Sequence, residues 1–190
     1  MQNLWNTISA RYARFEKERR LGMDISEEIQ RESKKLIHAF VHRTITDPKN
    51  ALASIKTKVD YLLALISKNP FLYQVAALDA GLEEYAEAVF LIGYTASFKE
   101  IKKFIPKGLG HNELLGGMAD SSGELVRMVR SRLKIDEAEK TRAIVAQIYE
   151  RFLDLELSRS NKLRSKISDV QRNLHHLEQI IFNLKLNAGS

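Results

Sequence analysis

Hydrophobic and polar positions alternate along most of the chain with the period of an α-helix, and residues that break helices are few. The clearest breaks are Gly22, the Asp47-Pro48 pair and the Asn69-Pro70 pair. The segments between breaks predict seven helices, at 3–21, 24–46, 49–67, 71–104, 112–133, 137–156 and 160–186. Long helices joined by short loops indicate an all-α bundle, and we expect residues 1–190 to form one domain.

The last predicted helix carries a narrow apolar seam. Its apolar residues follow alternating steps of four and three, as in a heptad repeat: Leu163, Ile167, Val170, Leu174, Leu177, Ile181 and Leu184. Such a seam requires a partner helix. The sequence leaves two partners open, a helix of the same bundle or a helix of another subunit.

The predicted helix 71–104 has two stripes of mostly apolar residues on opposite sides, and one of them contains two charged residues. One stripe is fully apolar, with Leu78, Leu82, Tyr85, Val89 and Ile92. The opposite stripe contains Ala80, Glu84, Glu87, Leu91, Tyr94 and Phe98. Burying two carboxylates one turn apart is costly unless a cation or hydrogen-bond donors compensate them. Either a metal ion lies beside Glu84 and Glu87, or this stripe is half-exposed and both side chains are solvated.

The predicted helix 112–133 combines glycines with charge on one side. Its apolar side comprises Leu114, Leu115, Met118, Leu125, Val126, Val129 and Leu133. The other side comprises Glu113, Gly116, Gly117, Asp120, Gly123, Glu124, Arg127 and Ser131. A glycine inside a helix costs about 1 kcal/mol relative to alanine, so these glycines indicate a close approach, either by a neighbouring helix or by a ligand.

If these two helices face each other, Glu84, Glu87, Asp120 and Glu124 form a cluster of oxygen ligands. Carboxylate oxygens suit Mg²⁺ or Mn²⁺, and metal sites of this kind are built between facing helices of bundles. No histidine belongs to the set, which argues against a di-iron centre of the ferritin type.

Composition narrows the function classes. The chain has 44% hydrophobic and 28% charged residues, and its formal net charge of +6 favours polyanionic partners. It has no cysteine, which excludes disulfides, thiolate zinc sites and cysteine nucleophiles and fits a cytoplasmic location. No apolar run resembles a signal peptide or a membrane span, so we expect no membrane association.

Two segments of the sequence resemble the translin family, and within it translin-associated factor X. They are GLEEYAEAV at 81–89 and ELLGGMADSSGELVRM at 113–128, with weaker similarity at His42-Arg43, at 148–152 and at 184–186. The resemblance implies a seven-helix fold that assembles into octameric shells around RNA. It also implies a metal-dependent endoribonuclease site in which Glu84, Glu87, Asp120 and Glu124 are catalytic and bind the metal.

The resemblance leaves the assembly open. Translin-type relatives lack most of the acidic set, which is complete here, so the catalytic branch is expected. The loop at 106–111 is short where the animal X-type protein has a long insertion. Animals use a mixed assembly, so the need for a translin-like partner subunit is open. The compact version of the fold favours a homo-oligomer, with an octamer as the assembly that the resemblance implies.

Candidate contacts to a nucleic-acid backbone are basic: Lys34, Arg43, Arg127 and Arg130. Arg127 lies one turn beyond Glu124, so it either contacts the scissile phosphate or neutralises that carboxylate. A different class of function is a non-catalytic scaffold that binds single-stranded RNA or DNA, with the acidic cluster fixing only helix packing. A third is a structural helical oligomer, which would show no salt-dependent binding of nucleic acid.

Overall fold

A computed structural model describes residues 2–95, 101–156 and 162–188, and this part of the chain contains six α-helices and no strand. The helices are α1 Gln2–Val41, α2 Pro48–Lys68, α3 Ala76–Thr95, α4 His111–Arg132, α5 Ile135–Leu153 and α6 Leu163–Ala188. Two short 3-10 helices, Pro70–Gln74 and Lys102–Phe104, flank α3. The all-α prediction is confirmed. None of the helices in these ranges is long and apolar enough to cross a membrane.

The first two predicted helices are one helix, so the predicted break at Gly22 is wrong. Gly22 lies inside α1 and is buried. A Cβ at this position would meet Leu78 at 3.2 Å and Leu62 at 3.7 Å. Close packing of α1 on α2 and α3 therefore offsets the low helix propensity of glycine, which the sequence pattern alone weighs as a stop.

The predicted helix 71–104 is also divided. Residues 70–74 form a 3-10 helix, α3 begins at Ala76 and ends at Thr95, and residues 96–100 of the prediction lie outside the described residues, as do 160 and 161. The chain after this gap folds back on α3, because the Tyr85 hydroxyl donates to the Phe104 carbonyl oxygen at 2.7 Å. Ile101 is buried against Gly93. These contacts attach the chain around Ile101 and Phe104 to α3.

The core lies where α3 packs against α1 on one side and α4 on the other. The predicted apolar stripe of α3 is buried, with Tyr85 fully covered. At the crossing of α1 and α3, the Ser26 hydroxyl donates to the Ala77 carbonyl oxygen at 2.9 Å and accepts from the Gly81 amide at 3.2 Å. A Cβ on Gly81 would overlap the Ser26 carbonyl oxygen. Small residues therefore bring α1 within backbone distance of α3.

The apolar seam of α6 packs within its own chain. Leu163, Val170 and Leu177 are buried, and α6 contacts both α5 and α4. The structure therefore supplies the first of the two partners that the sequence left open. Phe182 lies outside the seam and is 63% exposed, so α6 also keeps an apolar position on its outer face.

Candidate functional site

Glycine sets the distance between the two helices that carry the acidic residues. A Cβ on Gly117 would lie 2.5 Å from the Glu87 amide nitrogen and 2.7 Å from the Ala86 Cβ. Real Cβ atoms are essentially never found that close to other atoms. At Gly117, the close approach that the sequence indicated is thus made by a neighbouring helix, and it brings α3 and α4 into backbone contact.

This contact places the four predicted carboxylates on one edge of the α3–α4 pair. Glu84, Glu87 and Glu124 line the same cavity, whose volume is about 560 Å³. The pKa of Glu87 is raised from 4.5 to about 8, chiefly by burial; the negative charges of Glu84, Asp120 and Glu124 contribute to this rise and the charge of Lys166 opposes it. Glu84, Asp120 and Glu124 therefore lie close enough to Glu87 to make its ionisation unfavourable.

Glu84 is in a similar setting. Its side chain is only 16% exposed, which contradicts the interpretation of a solvated carboxylate. Burial raises the pKa of Glu84, Lys34 opposes that rise, and Asp120 and Glu124 add to it. The acidic cluster is defined as Glu84, Glu87, Asp120 and Glu124. Asp120 does not line the cavity with the other three, but its negative charge contributes to the raised pKa of Glu84 and of Glu87.

Three basic residues compensate three members of the acidic cluster. Lys34 Nζ of α1 lies 3.7 Å from Glu84 Oε2. Arg127 Nη1 donates to Glu124 Oε1 at 2.9 Å. Lys166 Nζ of α6 donates to Asp120 Oδ2 at 2.5 Å. Glu87 is the member whose carboxylate has no such cation beside it among the described residues.

The side chains are not arranged as a finished metal site. Within residues 2–95, 101–156 and 162–188, no group of three or more His, Cys, Asp or Glu side chains is positioned to hold a metal ion. Asp120 and Glu124 point to Lys166 and Arg127 instead. The donor set nevertheless suits a hard divalent cation, since it consists of carboxylates and leaves Glu87 short of positive charge.

Two of the four predicted nucleic-acid contacts line the cavity, and the other two do not. Lys34 and Arg127 line the cavity with the acidic cluster, beside His38. Arg130 is exposed on α4, one turn beyond Arg127. Arg43 lies 3.5 Å from Glu137 of α5, away from the cavity. The structure thus groups two of the four predicted contacts at the candidate site.

Sequence reasoning missed Lys166 and Glu83. Lys166 lies beside the seam residue Ile167 on a helix that the pattern indicated only as a packing element. Glu83 is adjacent to Glu84 in the sequence, but it faces Lys166 rather than the cavity. No spacing in the sequence connects α6 with the acidic helices, because Lys166 and Asp120 are 46 positions apart.

Comparison with known families decides the classification. The Translin family model matches residues 18–188, which is most of the chain. The chain belongs to the translin family. The family resemblance of the signature segments is thereby confirmed. No curated protein matches the chain.

Solved structures with the same fold are similar over nearly the whole chain. The structure described as AfC3PO in complex with duplex RNA has a TM-score of 0.85 and 18% identity, covering 96% of this chain and 97% of that one. Apo-NeC3PO has a TM-score of 0.82 and 22% identity, covering 95% and 96%. At these identities the likeness establishes a shared translin-family fold.

Proposed function

We propose that this translin-family chain is a metal-dependent endoribonuclease that hydrolyses RNA phosphodiester bonds inside an oligomeric shell. The observation that carries the proposal is the acidic cluster on the α3–α4 edge, in which burial and three neighbouring carboxylates raise the pKa of Glu87 to about 8. Perturbed carboxylates in a cavity are typical of functional sites. A Mg²⁺ or Mn²⁺ ion held there would supply the missing positive charge.

RNA is the substrate that the surroundings favour. Lys34 and Arg127 line the same cavity as the carboxylates, and the chain carries a net charge of +6. A translin-family fold similar to this one has been solved with duplex RNA. We therefore place the phosphate backbone at the rim of the cavity, where the Lys34 ammonium and the Arg127 guanidinium would bind its oxygens.

Each residue has a defined role in the proposed reaction. The divalent cation would be held by Glu84, Glu87, Asp120 and Glu124. For this, Asp120 and Glu124 would each turn one carboxylate oxygen towards the cavity. The chemistry that Mg²⁺ supplies in such sites is stabilisation of charge on the phosphate oxygens and activation of water. Arg127 would exchange Glu124 for a phosphate oxygen when RNA binds, because a guanidinium group forms charge-assisted hydrogen bonds with phosphate as well as with carboxylate.

The assembly is part of the proposal. We expect a homo-oligomer, with eight subunits as the number that the family resemblance implies, and the presence of all four acidic residues supports the proposal that the chain is of the X-type, catalytic branch. A translin-like partner subunit is then unnecessary for catalysis. The test of this point is whether the chain cleaves RNA when it is purified alone.

The second candidate is a scaffold that binds RNA or single-stranded DNA without cleaving it. The observation in its favour is that Lys34, Arg127 and Lys166 already compensate three of the four carboxylates. On this reading the cluster fixes helix packing through ion pairs. A scaffold binds nucleic acid without Mg²⁺, whereas the nuclease requires Mg²⁺ for its activity.

Asp120→Asn separates the two candidates. The amide keeps the shape of the side chain but removes its charge, so oligomer size and helix content should stay as in the wild type while Mg²⁺-dependent cleavage is lost. RNA binding should persist or strengthen. The matched control is Asp60→Asn, which also removes an aspartate paired with a lysine, here Lys56 of the same helix at 2.6 Å.

The readouts are cleavage of a labelled RNA at increasing Mg²⁺ and RNA binding in EDTA. Wild-type cleavage by Asp120→Asn would exclude the acidic cluster as the active site. No cleavage by the wild type at any Mg²⁺ or Mn²⁺ concentration, with RNA binding intact, would make the scaffold the better function. Glu84→Gln and Glu87→Gln should match Asp120→Asn, and combining them should add little if they form one metal site.

A further inference from the structure

Lys166 connects three helices at the acidic cluster. From α6 its Nζ donates to Asp120 Oδ2 of α4 at 2.5 Å and lies 2.5 Å from Glu83 Oε1 of α3. The lysine side chain is 23% exposed, so both ion pairs are partly screened from water. A lysine held by two carboxylates from different helices is fixed in position more firmly than one in a single surface pair.

Gly116 provides the space for this arrangement. A Cβ at Gly116 would lie 2.5 Å from Glu83 Oε1 and 2.7 Å from its carboxyl carbon. Any larger residue there would displace the Glu83 carboxylate from its place beside Lys166. The position of Glu83 therefore depends on a glycine of the helix that carries Asp120.

We propose that Lys166 is a positioning residue for the metal site: held by Glu83, it fixes one oxygen of Asp120 and leaves the other to bind the cation. The inference rests on the proposed function, since it concerns the same site. Carboxylates that bind metals in proteins are themselves usually held by hydrogen bonds, which fix their orientation. Lys166 supplies that bond from a helix that carries no member of the acidic cluster.

Glu83 explains how a lysine can lie here without repelling a metal ion. Lys166 carries one positive charge, whereas Glu83 and Asp120 together carry two negative charges. The three side chains thus retain a net negative charge, and the Asp120 oxygen that accepts no hydrogen bond from the lysine keeps its attraction for a cation. Without Glu83, the lysine would cancel the charge of Asp120.

The competing explanation is that Lys166 is only an ion pair that attaches α6 to the bundle. The same helix offers a control for that role, because Lys185 Nζ lies 2.8 Å from Glu139 Oε1 of α5. Both of those side chains are about half exposed, so this pair is expected to contribute little to stability. Lys185→Met removes an interhelical ion pair of α6 without touching the acidic cluster.

The experiment measures Mn²⁺ binding by calorimetry on the full chain, without RNA, for the wild type, Lys166→Met, Lys166→Arg, Glu83→Gln and Lys185→Met. Loss of a group that orients a metal ligand typically weakens metal affinity about 10–100-fold, and we expect Lys166→Met to fall in that range. Lys166→Arg should recover most of the affinity, because it keeps a donor for Asp120. Glu83→Gln should weaken Mn²⁺ binding, because the charge of Lys166 would then cancel that of Asp120. Lys185→Met should bind Mn²⁺ as the wild type does.

Circular dichroism and light scattering establish that each variant keeps its fold and assembly. If Lys166→Met fails to fold, Glu83→Gln carries the test, because it leaves Lys166 in place. Unchanged Mn²⁺ affinity in the folded variants overturns the inference, and so does tighter binding, which would make Lys166 a competing cation. A wild type that binds no Mn²⁺ refutes the proposed function and this inference together, whereas equal binding by the wild type and Lys166→Met refutes only the inference.

Discussion

The close contact between α3 and α4 depends on Gly117, which has a hydrogen atom where every other residue has a Cβ. Gly117→Ala would place a Cβ 2.5 Å from the Glu87 amide nitrogen, and an ordinary contact begins at 3.4 Å, so the helices must separate by roughly 1 Å. Because the obstructing atom belongs to the backbone, no side-chain rotation relieves the overlap. Both the stability of the bundle and the geometry of the acidic cluster should suffer.

The size of the effect follows from two opposing contributions. Overpacking a core costs about 1–3 kcal/mol, and a backbone obstruction belongs at the upper end of that range. Alanine offsets this with a helix propensity about 1 kcal/mol better than that of glycine. We therefore expect Gly117→Ala to lower the free energy of unfolding by about 2 kcal/mol.

Gly123→Ala is the matched control, since Gly123 lies in the same helix. Among the described residues, a Cβ there would meet Asn173 Nδ2 alone, at an ordinary 3.6 Å. Its stability should equal that of the wild type or exceed it by up to about 1 kcal/mol. Urea unfolding at one protein concentration measures all three proteins, and a fixed concentration is needed because assembly contributes to apparent stability. If Gly117→Ala is as stable as Gly123→Ala, the close helix contact does not exist as described.

Three further predictions concern the whole protein. In metal-free buffer, the free energy of unfolding should fall as pH rises from about 4.5 to about 8, because Glu87 binds its proton more tightly in the folded state than in the unfolded state. In urea titrations at a series of pH values, Glu87→Gln should make this fall smaller. Light scattering should give a mass well above the 21.7 kDa of one chain, and a monomer at micromolar concentration would contradict the expected assembly. RNA affinity should drop about tenfold between roughly 50 and 200 mM salt, whereas an affinity independent of salt would exclude contacts from Lys34 and Arg127 to phosphate.

The sequence by itself determined the helical class, the family and the faces of the helices. Periodicity sufficed for the buried stripe of α3, because a residue on a helix is buried or exposed according to a simple angular rule. It also placed carboxylates on the opposite stripe, where Glu84 and Glu87 stand one turn apart. The glycines of α4 indicated a close approach, since an interior glycine is otherwise unfavourable in a helix.

Only the tertiary structure decided where helices end and what the acidic cluster touches. Gly22 does not interrupt α1, because packing against Leu78 outweighs its weak helix propensity. Three residues of the α6 seam, Leu163, Val170 and Leu177, are buried within the chain, and a heptad pattern alone does not show which helix covers them. Lys166 reaches Asp120 from 46 positions away, and no local pattern encodes such a contact, because it depends on how α6 packs against α4. Spacing along one helix fixes which residues share a face, whereas contacts between helices depend on crossing points set by small residues such as Gly117.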